Sequence, residues 1–297
     1  MANSRKKTQK TKVRIRKLII PLAGEGTRLL PVTKSYPKEM IHLVDKPVIQ
    51  YLVEEAKQSG IDEIIFVLSP TKGLVQKYFS TVRSDLSRKH ESLTVLNGLI
   101  KEMKFHYIKK GHTRGDGHSI HHTRSKIGKD EVFAVSMGDL LSPTEKPFLA
   151  QLIQVYQDVK APIISVQRVQ KEEASKYGVV VPTKSRGRLH TVSELVEKPK
   201  TPPSNLIMTG KYILTPAVFP YIEKILKKKN WMGEVRLADA LREYAKENTL
   251  YAYECEGTIQ DTGNKLDFLK SKVFFALRNP NYKKALQTYL NSLKLSK

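Results

Sequence analysis

The first patterned segment of the chain is a short apolar run, Leu18-Ile19-Ile20-Pro21-Leu22, with a glycine-bearing loop directly behind it. A run of this length, apolar at successive positions, suits a strand in a sheet covered on both faces. Residues 48–59 place their apolar positions at helical spacing instead, and Gly60 sits where a C-terminal stop belongs. IIFVLS at 64–69 predicts a second buried strand, 72–80 a helix, Met103 to Ile108 an alternating strand, and 117–127 a helix. Val132 to Met137 is a further apolar strand, and it ends on Gly138-Asp139. In the second half, 147–158 reads as helix, Pro162 to Gln167 as strand, and Tyr177 to Val181 with Leu189 to Glu197 as paired strands. Ile207 to Leu214 predicts a strand, 216–229 and 235–247 helices, and Leu250 to Glu256 a strand; from Lys265 to its end the chain reads as helix. Strands alternating with helices at short spacing predict an α/β fold with a mixed, mostly parallel central sheet flanked by helices. No linker or repeat divides residues 18–297, so one domain is expected behind a basic, disordered tail at 1–17.

Composition narrows the class. Of 297 residues, 40% are apolar and 27% charged, ordinary values for a globular protein. No run of 18 apolar residues predicts a membrane span, and the N-terminal charges lack the apolar stretch of a secretory signal. A single cysteine, Cys255, excludes an internal disulfide and a cysteine-built zinc site. A cytoplasmic protein is the expectation. The net charge of +23 is unusual; residues 1–17 carry eight Lys or Arg and no acid, and the remaining excess is spread along the chain. A basic surface draws anions such as nucleotides, nucleic acid or acidic lipid. No RNA- or DNA-binding motif accompanies the charge, and aromatics are not interleaved with the basic runs, so nucleic acid is not the expected partner.

The candidate chemistry begins at Leu22-Ala23-Gly24-Glu25-Gly26-Thr27-Arg28. Gly24 and Gly26 allow the backbone to approach a ligand closely, and successive N–H groups in such a loop make an anion-binding concavity. Arg28 adds a guanidinium fork suited to phosphate, and Lys38 follows in Pro37-Lys38-Glu39-Met40. The loop lacks the third glycine of a dinucleotide fingerprint and is not a Walker A loop. Taken alone, it is equally compatible with a tight turn.

Read as a longer string, PLAGEGTRLLPVTKSYPKEMIHLVDKPVIQYLVEEA resembles the bacterial UTP–glucose-1-phosphate uridylyltransferase family, a branch of the sugar nucleotidyltransferases. Further blocks match in order: Gly138-Asp139, Tyr177-Gly178-Val179, Val196-Glu197-Lys198-Pro199, Ser204-Asn205-Leu206, Thr209-Gly210-Lys211-Tyr212, Gly233-Glu234-Val235 with Leu237-Ala238-Asp239-Ala240, and Asp261-Thr262-Gly263-Asn264. The resemblance spans roughly residues 15–282 and implies a Rossmann-like nucleotidyltransferase fold, Mg²⁺, the substrates UTP and glucose 1-phosphate, and a homo-oligomer, with the C-terminal helices from about residue 265 as a plausible contact. It implies that the loop Leu22 to Thr27 wraps the triphosphate, that Arg28 holds the leaving pyrophosphate, and that Lys38 neutralises charge on the α-phosphate. Asp139 and Asp261 match the metal carboxylates. Gly178, Glu197, Lys198, Gly210 and Glu234 match positions around the sugar phosphate, and Lys110 with Gly115 falls in the base-recognition segment.

Three departures stand out. The acid that usually follows the metal aspartate, in G-D-D, is Leu140 here. The base-recognition segment, normally like Q-x-x-P-x-G-L-G-H-A, runs here from Lys110 to Ser119, and Lys110 replaces a glutamine with a group that donates but cannot accept. Ala238 and Thr262 also differ from the usual residues. These changes keep open a different pyrimidine triphosphate, a different sugar 1-phosphate, or a non-catalytic binding protein. His112, His118, His121 and His122 crowd the same region, but no acid or cysteine completes a metal set there.

Overall fold

The structure is a computed structural model, and it describes residues 12–81, 90, 92–111, 113–228 and 233–293. Strands β1 (Lys17–Pro21), β2 (Glu63–Leu68), β3 (Lys104–Lys109) and β4 (Phe133–Ser136) lie side by side in the order β3-β2-β1-β4, all parallel. Parallel neighbours need crossovers, and the helices Val48–Gln58 and Ser92–Glu102 supply them. The remainder of the sheet turns on β9 (Leu206–Leu214), which runs antiparallel to β4 on one side and to β6 (Ile163–Arg168) on the other. Beyond β6 come β10 (Tyr251–Glu254), parallel to it, and then the antiparallel pair β8 (Leu189–Glu197) and β7 (Gly178–Arg186). The sheet is therefore mixed, with its parallel pairing concentrated in the first half of the chain.

Burial explains why the strands read as continuous apolar runs. All six residues of β2 and all nine of β9 are buried. Alternate side chains enter opposite layers: Leu18, Ile20, Ile64 and Phe66 share one core with Val53 and Leu152 of the helices Val48–Gln58 and Phe148–Val159. Ile19, Ile65 and Val67 share the other with Phe219 and Leu241 of the helices Phe219–Leu226 and Leu237–Glu247. Among the described residues, no helix is long and apolar enough to cross a membrane.

Several elements depart from the sequence expectation. Helix Ser92–Glu102 had no assignment from its pattern. The helix expected over 117–127 stops at His121; Thr123 turns the chain by donating its hydroxyl to the Ile120 carbonyl, and a 3-10 turn follows at Arg124–Lys126. The segment 216–229 opens with a 3-10 turn at Pro216–Val218, and its last position lies outside the described residues, as do 1–11 of the tail and His112. The end of the expected disordered tail is ordered instead, because Ile15 is buried, Arg14 and Arg16 pair with Asp62, and Lys17 opens β1. The C-terminal helix is two helices, Lys265–Arg278 and Lys283–Ser292. Asn279 separates them because a residue before proline disfavours helical backbone.

One polar network crosses this apolar interior. Lys211, in the middle of β9, is fully buried. Its ammonium donates to Ser136 Oγ of β4 at 2.7 Å and to the Leu140 carbonyl at 2.8 Å, and lies 3.3 Å from Glu55 Oε2. Burial pulls the Lys211 pKa down, against the charge of Glu55. Glu55 in turn accepts from the Ser142 hydroxyl at 2.8 Å. Removing one partner of such a pair strands a buried charge, whereas replacing both by apolar groups is often tolerated. Lys211→Ala is expected to lower the unfolding free energy by about 3–5 kcal/mol, read by chemical denaturation. Lys211→Met combined with Glu55→Leu is expected to recover most of that loss; equal losses in both variants would count against the pair as the constraint.

Candidate active site

The loop behind β1 passes the carboxyl ends of the parallel strands, where open α/β sheets keep their ligands. Leu22 is buried, its N–H bonds the Val67 carbonyl, and its side chain occupies the space a Cβ on Gly138 would need, at 2.6 Å. It therefore supports the loop from beneath. Ala23, Gly24, Glu25, Thr27 and Arg28 line a cleft of about 700 Å³. Gly26 has φ +70°, and its carbonyl accepts from the Thr33 hydroxyl at 2.9 Å. This left-handed corner turns the chain into a short 3-10 segment that presents Thr27 and Arg28.

A second 3-10 turn, Lys38–Met40, carries Lys38 to the same cleft. Beneath it, Glu39 is 1% exposed and accepts from Lys72 Nζ at 2.8 Å through both oxygens. Sequence reading gave no sign of this buried pair, because Lys72 belongs to the separate 3-10 turn Pro70–Lys72.

Lys38 Nζ donates to Asp139 Oδ2 at 2.7 Å. Burial works against the charge on Lys38, but Asp139 and Glu39 outweigh it and hold its pKa above the ordinary value. Burial likewise opposes the charge on Asp139, and the cations Lys38 and Arg28 outweigh it, so that carboxylate stays ionised below its usual range. Asp261 is brought alongside by a two-residue ladder between β5 (Leu140–Leu141) and β11 (Gln260–Asp261), with Leu140 opposite Asp261. Thr262 clamps the junction, donating its N–H and hydroxyl to the Asp139 carbonyl at 2.8 and 2.9 Å. A Cβ placed on Gly263 would lie 3.0 Å from Asp261 Oδ1, 3.1 Å from Asp139 Oδ2 and 3.3 Å from an Arg28 nitrogen. The three charged groups therefore converge on this glycine. Burial raises the Asp261 pKa, and the negative charge of Asp139 adds to it, against the Gly263 N–H that Asp261 accepts. Two half-buried carboxylates in mutual repulsion beside this cleft are a donor set suited to a divalent cation, which carboxylates commonly hold together with phosphate oxygens. Among the described residues, no group of three or more acids, histidines or cysteines offers an alternative metal site.

The cleft continues into a second cavity of about 220 Å³ on the far side of Asp139. Gly178, Glu197, Lys198, Gly210 and Glu234 all line it. Lys198 is one of two non-glycine residues with positive φ among those described, at 45°, and its ammonium lies 3.8 Å from Glu197 Oε1. Such a conformation is uncommon outside glycine and concentrates at functional positions. Gly210 leaves room for a neighbouring side chain: a Cβ there would meet Leu140 Cδ1 at 2.7 Å. Arg28, Asp116, Met137, Asp139, Leu140 and Glu234 line both cavities and form their common wall.

One expectation is redirected. Lys110 is exposed and lines neither cavity; its N–H extends the β2–β3 ladder by bonding the Leu68 carbonyl. Gly115 does line the larger cleft. It has φ +110°, and a Cβ would press on the Val235 carbonyl at 2.7 Å, because residues 114–117 exchange backbone hydrogen bonds with Val235. Next to it stands Asp116, absent from the sequence-based site. Asp116 Oδ1 accepts the Leu237 N–H at 2.7 Å at the start of helix Leu237–Glu247. Burial pushes its pKa up to about 6, and Glu197 and Glu234 add to the rise, against the N–H groups of Leu237 and Gly117.

Known proteins resemble this chain in sequence and in fold. A family model described as nucleotidyl transferase matches residues 17–276. The UTP–glucose-1-phosphate uridylyltransferases of Staphylococcus haemolyticus and Bacillus subtilis are each 38% identical to this chain, over 94% of it and 98% and 97% of their own lengths. Among solved structures, a UDP-glucose pyrophosphorylase complexed with UDP-glucose superimposes with a TM-score of 0.82 at 33% identity, covering 90% of this chain and all of its own. A UTP-bound enzyme from Acinetobacter baumannii gives 0.83 at 29% identity, over 95% of this chain and all of its own. The loop behind β1, the half-buried carboxylates Asp139 and Asp261 and the two adjoining cavities are thus joined to a sheet shared with these enzymes, and the chain belongs to the nucleotidyl transferase family.

Proposed function

We propose that this protein transfers a uridylyl group from UTP to glucose 1-phosphate, giving UDP-glucose and pyrophosphate. The observation that carries the reading is the common wall at Asp139, where the cleft lined by the glycine-bearing loop and the smaller cavity meet beside Lys38 and Arg28. Relatives named for this reaction match nearly the whole chain, which supports UTP and glucose 1-phosphate over other pairs.

The larger cleft would take the triphosphate, with loop N–H groups and Arg28 along the β- and γ-phosphates. The smaller cavity would take the hexose, with Glu197 and Glu234 accepting from hydroxyls and Lys198 near the phosphate. Both substrates then present phosphate oxygens at Asp139. A phosphate oxygen of the sugar phosphate attacks the α-phosphorus in line and pyrophosphate leaves, so no protein nucleophile is required. Bound by Asp139 and Asp261, Mg²⁺ would supply charge neutralisation on the phosphates. Lys38, held charged by its surroundings, is placed to stabilise the negative charge that grows on the α-phosphate, and positioning with such stabilisation is what phosphoryl chemistry demands. A homo-oligomer is supported by Leu266, Leu269 and Tyr289, large apolar side chains about 60% exposed on the two C-terminal helices.

Pyrophosphate release, measured with Mg²⁺ over a grid of UTP, dTTP, CTP and ATP against several sugar 1-phosphates, is expected to peak at UTP with glucose 1-phosphate. A peak elsewhere would redirect the substrate reading, and no release from protein that still binds UTP would remove the enzymatic one. Asp139→Asn and Asp261→Asn are each expected to lower kcat by roughly 10²–10³-fold without changing the circular dichroism spectrum. Near-normal rates in both would rule out the carboxylate pair as the metal site. Lys38→Ala is expected to lower kcat to a similar extent, roughly 10²–10³-fold. A change confined to KM would make Lys38 a ground-state binding group.

A further inference from the structure

Asp116 belongs to the wall shared by both cavities, and it is a carboxylate that the reaction as derived above does not use. Its position is fixed. Oδ1 is tied to the Leu237 N–H, and Gly115 and Gly117 on either side fit against Val235 so closely that a Cβ would lie 2.7 or 2.9 Å from its carbonyl. A carboxylate offers about four acceptor directions, and the helix start uses only part of them.

The surroundings of Asp116 indicate what it can accept. Its charged neighbours are Glu197 and Glu234, and its negative charge also reaches the buried hydroxyl of Tyr212. All of these line the smaller cavity. Arg28, Lys176, Lys198 and Arg236 line the smaller cavity as well, but Lys198 lies 3.8 Å from Glu197 and Arg236 3.2 Å from Glu234. Asp116 is instead tied to a backbone N–H, so a hydroxyl group, which brings a hydrogen-bond donor and no charge, suits its remaining acceptor directions. The sequence adds a second observation. In the family pattern the residue between the two glycines of G-L-G is leucine, and an acid follows the metal aspartate in G-D-D. Here the glycines flank Asp116 and the metal aspartate is followed by Leu140. Asp116 and Leu140 both line both cavities.

We propose that Asp116 is a specificity-determining residue that accepts a hydrogen bond from a ring or hydroxymethyl hydroxyl of the sugar 1-phosphate. This rests on the uridylyltransferase reading above. A buried site built to bond a hydroxyl rejects the analogue that lacks it, because the acceptor is then left unpaired.

The test crosses variants with analogues. Wild type, Asp116→Leu and Asp116→Asn are assayed for pyrophosphate release with UTP against glucose 1-phosphate, its 2-, 3-, 4- and 6-deoxy analogues, and xylose 1-phosphate. Asparagine keeps an acceptor for the Leu237 N–H, so its melting temperature checks that the helix start is preserved. Wild type is expected to lose about 10–100-fold in kcat/KM with one deoxy analogue. Asp116→Leu is expected to lose a similar factor on glucose 1-phosphate and to show no further loss with that analogue. Discrimination that is unchanged across all analogues in both variants would overturn the proposal and leave Asp116 as a helix cap only. If the variants instead alter the ratio of UTP to 2′-deoxy-UTP while sugar discrimination holds, the acceptor serves ribose and the proposal fails. Absence of turnover by wild type with every sugar phosphate would overturn the underlying reaction, a result distinct from the other two.

Discussion

The arrangement of the site depends on the ammonium of Lys211. It draws together the middle of β9, the end of β4, the carbonyl of Leu140 and the helix carrying Glu55. Leu140 directly follows Asp139, so the hydrogen bond to its carbonyl fixes the backbone on which the central carboxylate rides. The same short strand then pairs with β11 and brings Asp261 alongside. A fully buried lysine is costly unless its charge is met. Ser136, Leu140 and Glu55 meet it here, and the interior gains a rigid polar joint directly beneath the reacting groups.

Charge balance explains the rest of the constellation. Asp139 and Asp261 face one another in a largely desolvated corner, and Asp261 has its pKa raised in consequence. Lys38 and Arg28 offset that repulsion from the phosphate side. Lys38 is itself backed by Glu39, whose own charge is neutralised by the buried Lys72. Acids and bases thus alternate from the interior to the cleft, and each charge is stabilised by the next. Oriented charges of this kind act on a developing anion without reorganising at the moment of reaction.

Much of this could be read in the sequence, for identifiable reasons. Strands β1 and β4, ending at Pro21 and Ser136, announce themselves as largely apolar runs because both faces of the sheet are covered. Gly24, Gly26, Arg28 and Lys38 lie within a short stretch, so they read as one phosphate-side group. The β5–β11 ladder is different: two residues on each side carry no periodicity, and the partners are far apart in the chain. Lys211 hides in an apolar strand pattern, and its partners come from three other segments. At the loop from Lys110 to Ser119 the pattern pointed to a segment that lines the larger cleft through Gly115, Asp116 and Ser119. Local sequence could not tell that Lys110 is exposed while Asp116 lines the cavities, since backbone bonds to Leu68 place the first and to Val235 the second.

The clamp between Thr262 and Asp139 joins residues 123 positions apart. That separation has a consequence in time. A ribosome that has made the phosphate loop, Lys38 and Asp139 has produced most of the nucleotide cleft, yet the second carboxylate is still more than a hundred residues from being synthesised. The emerging chain can assemble its parallel half early, but the pair of acids closes only after Asp261 has been made. Chemical competence therefore lags behind the cleft, and chains released before that point are left with a cleft that lacks half of its carboxylate pair.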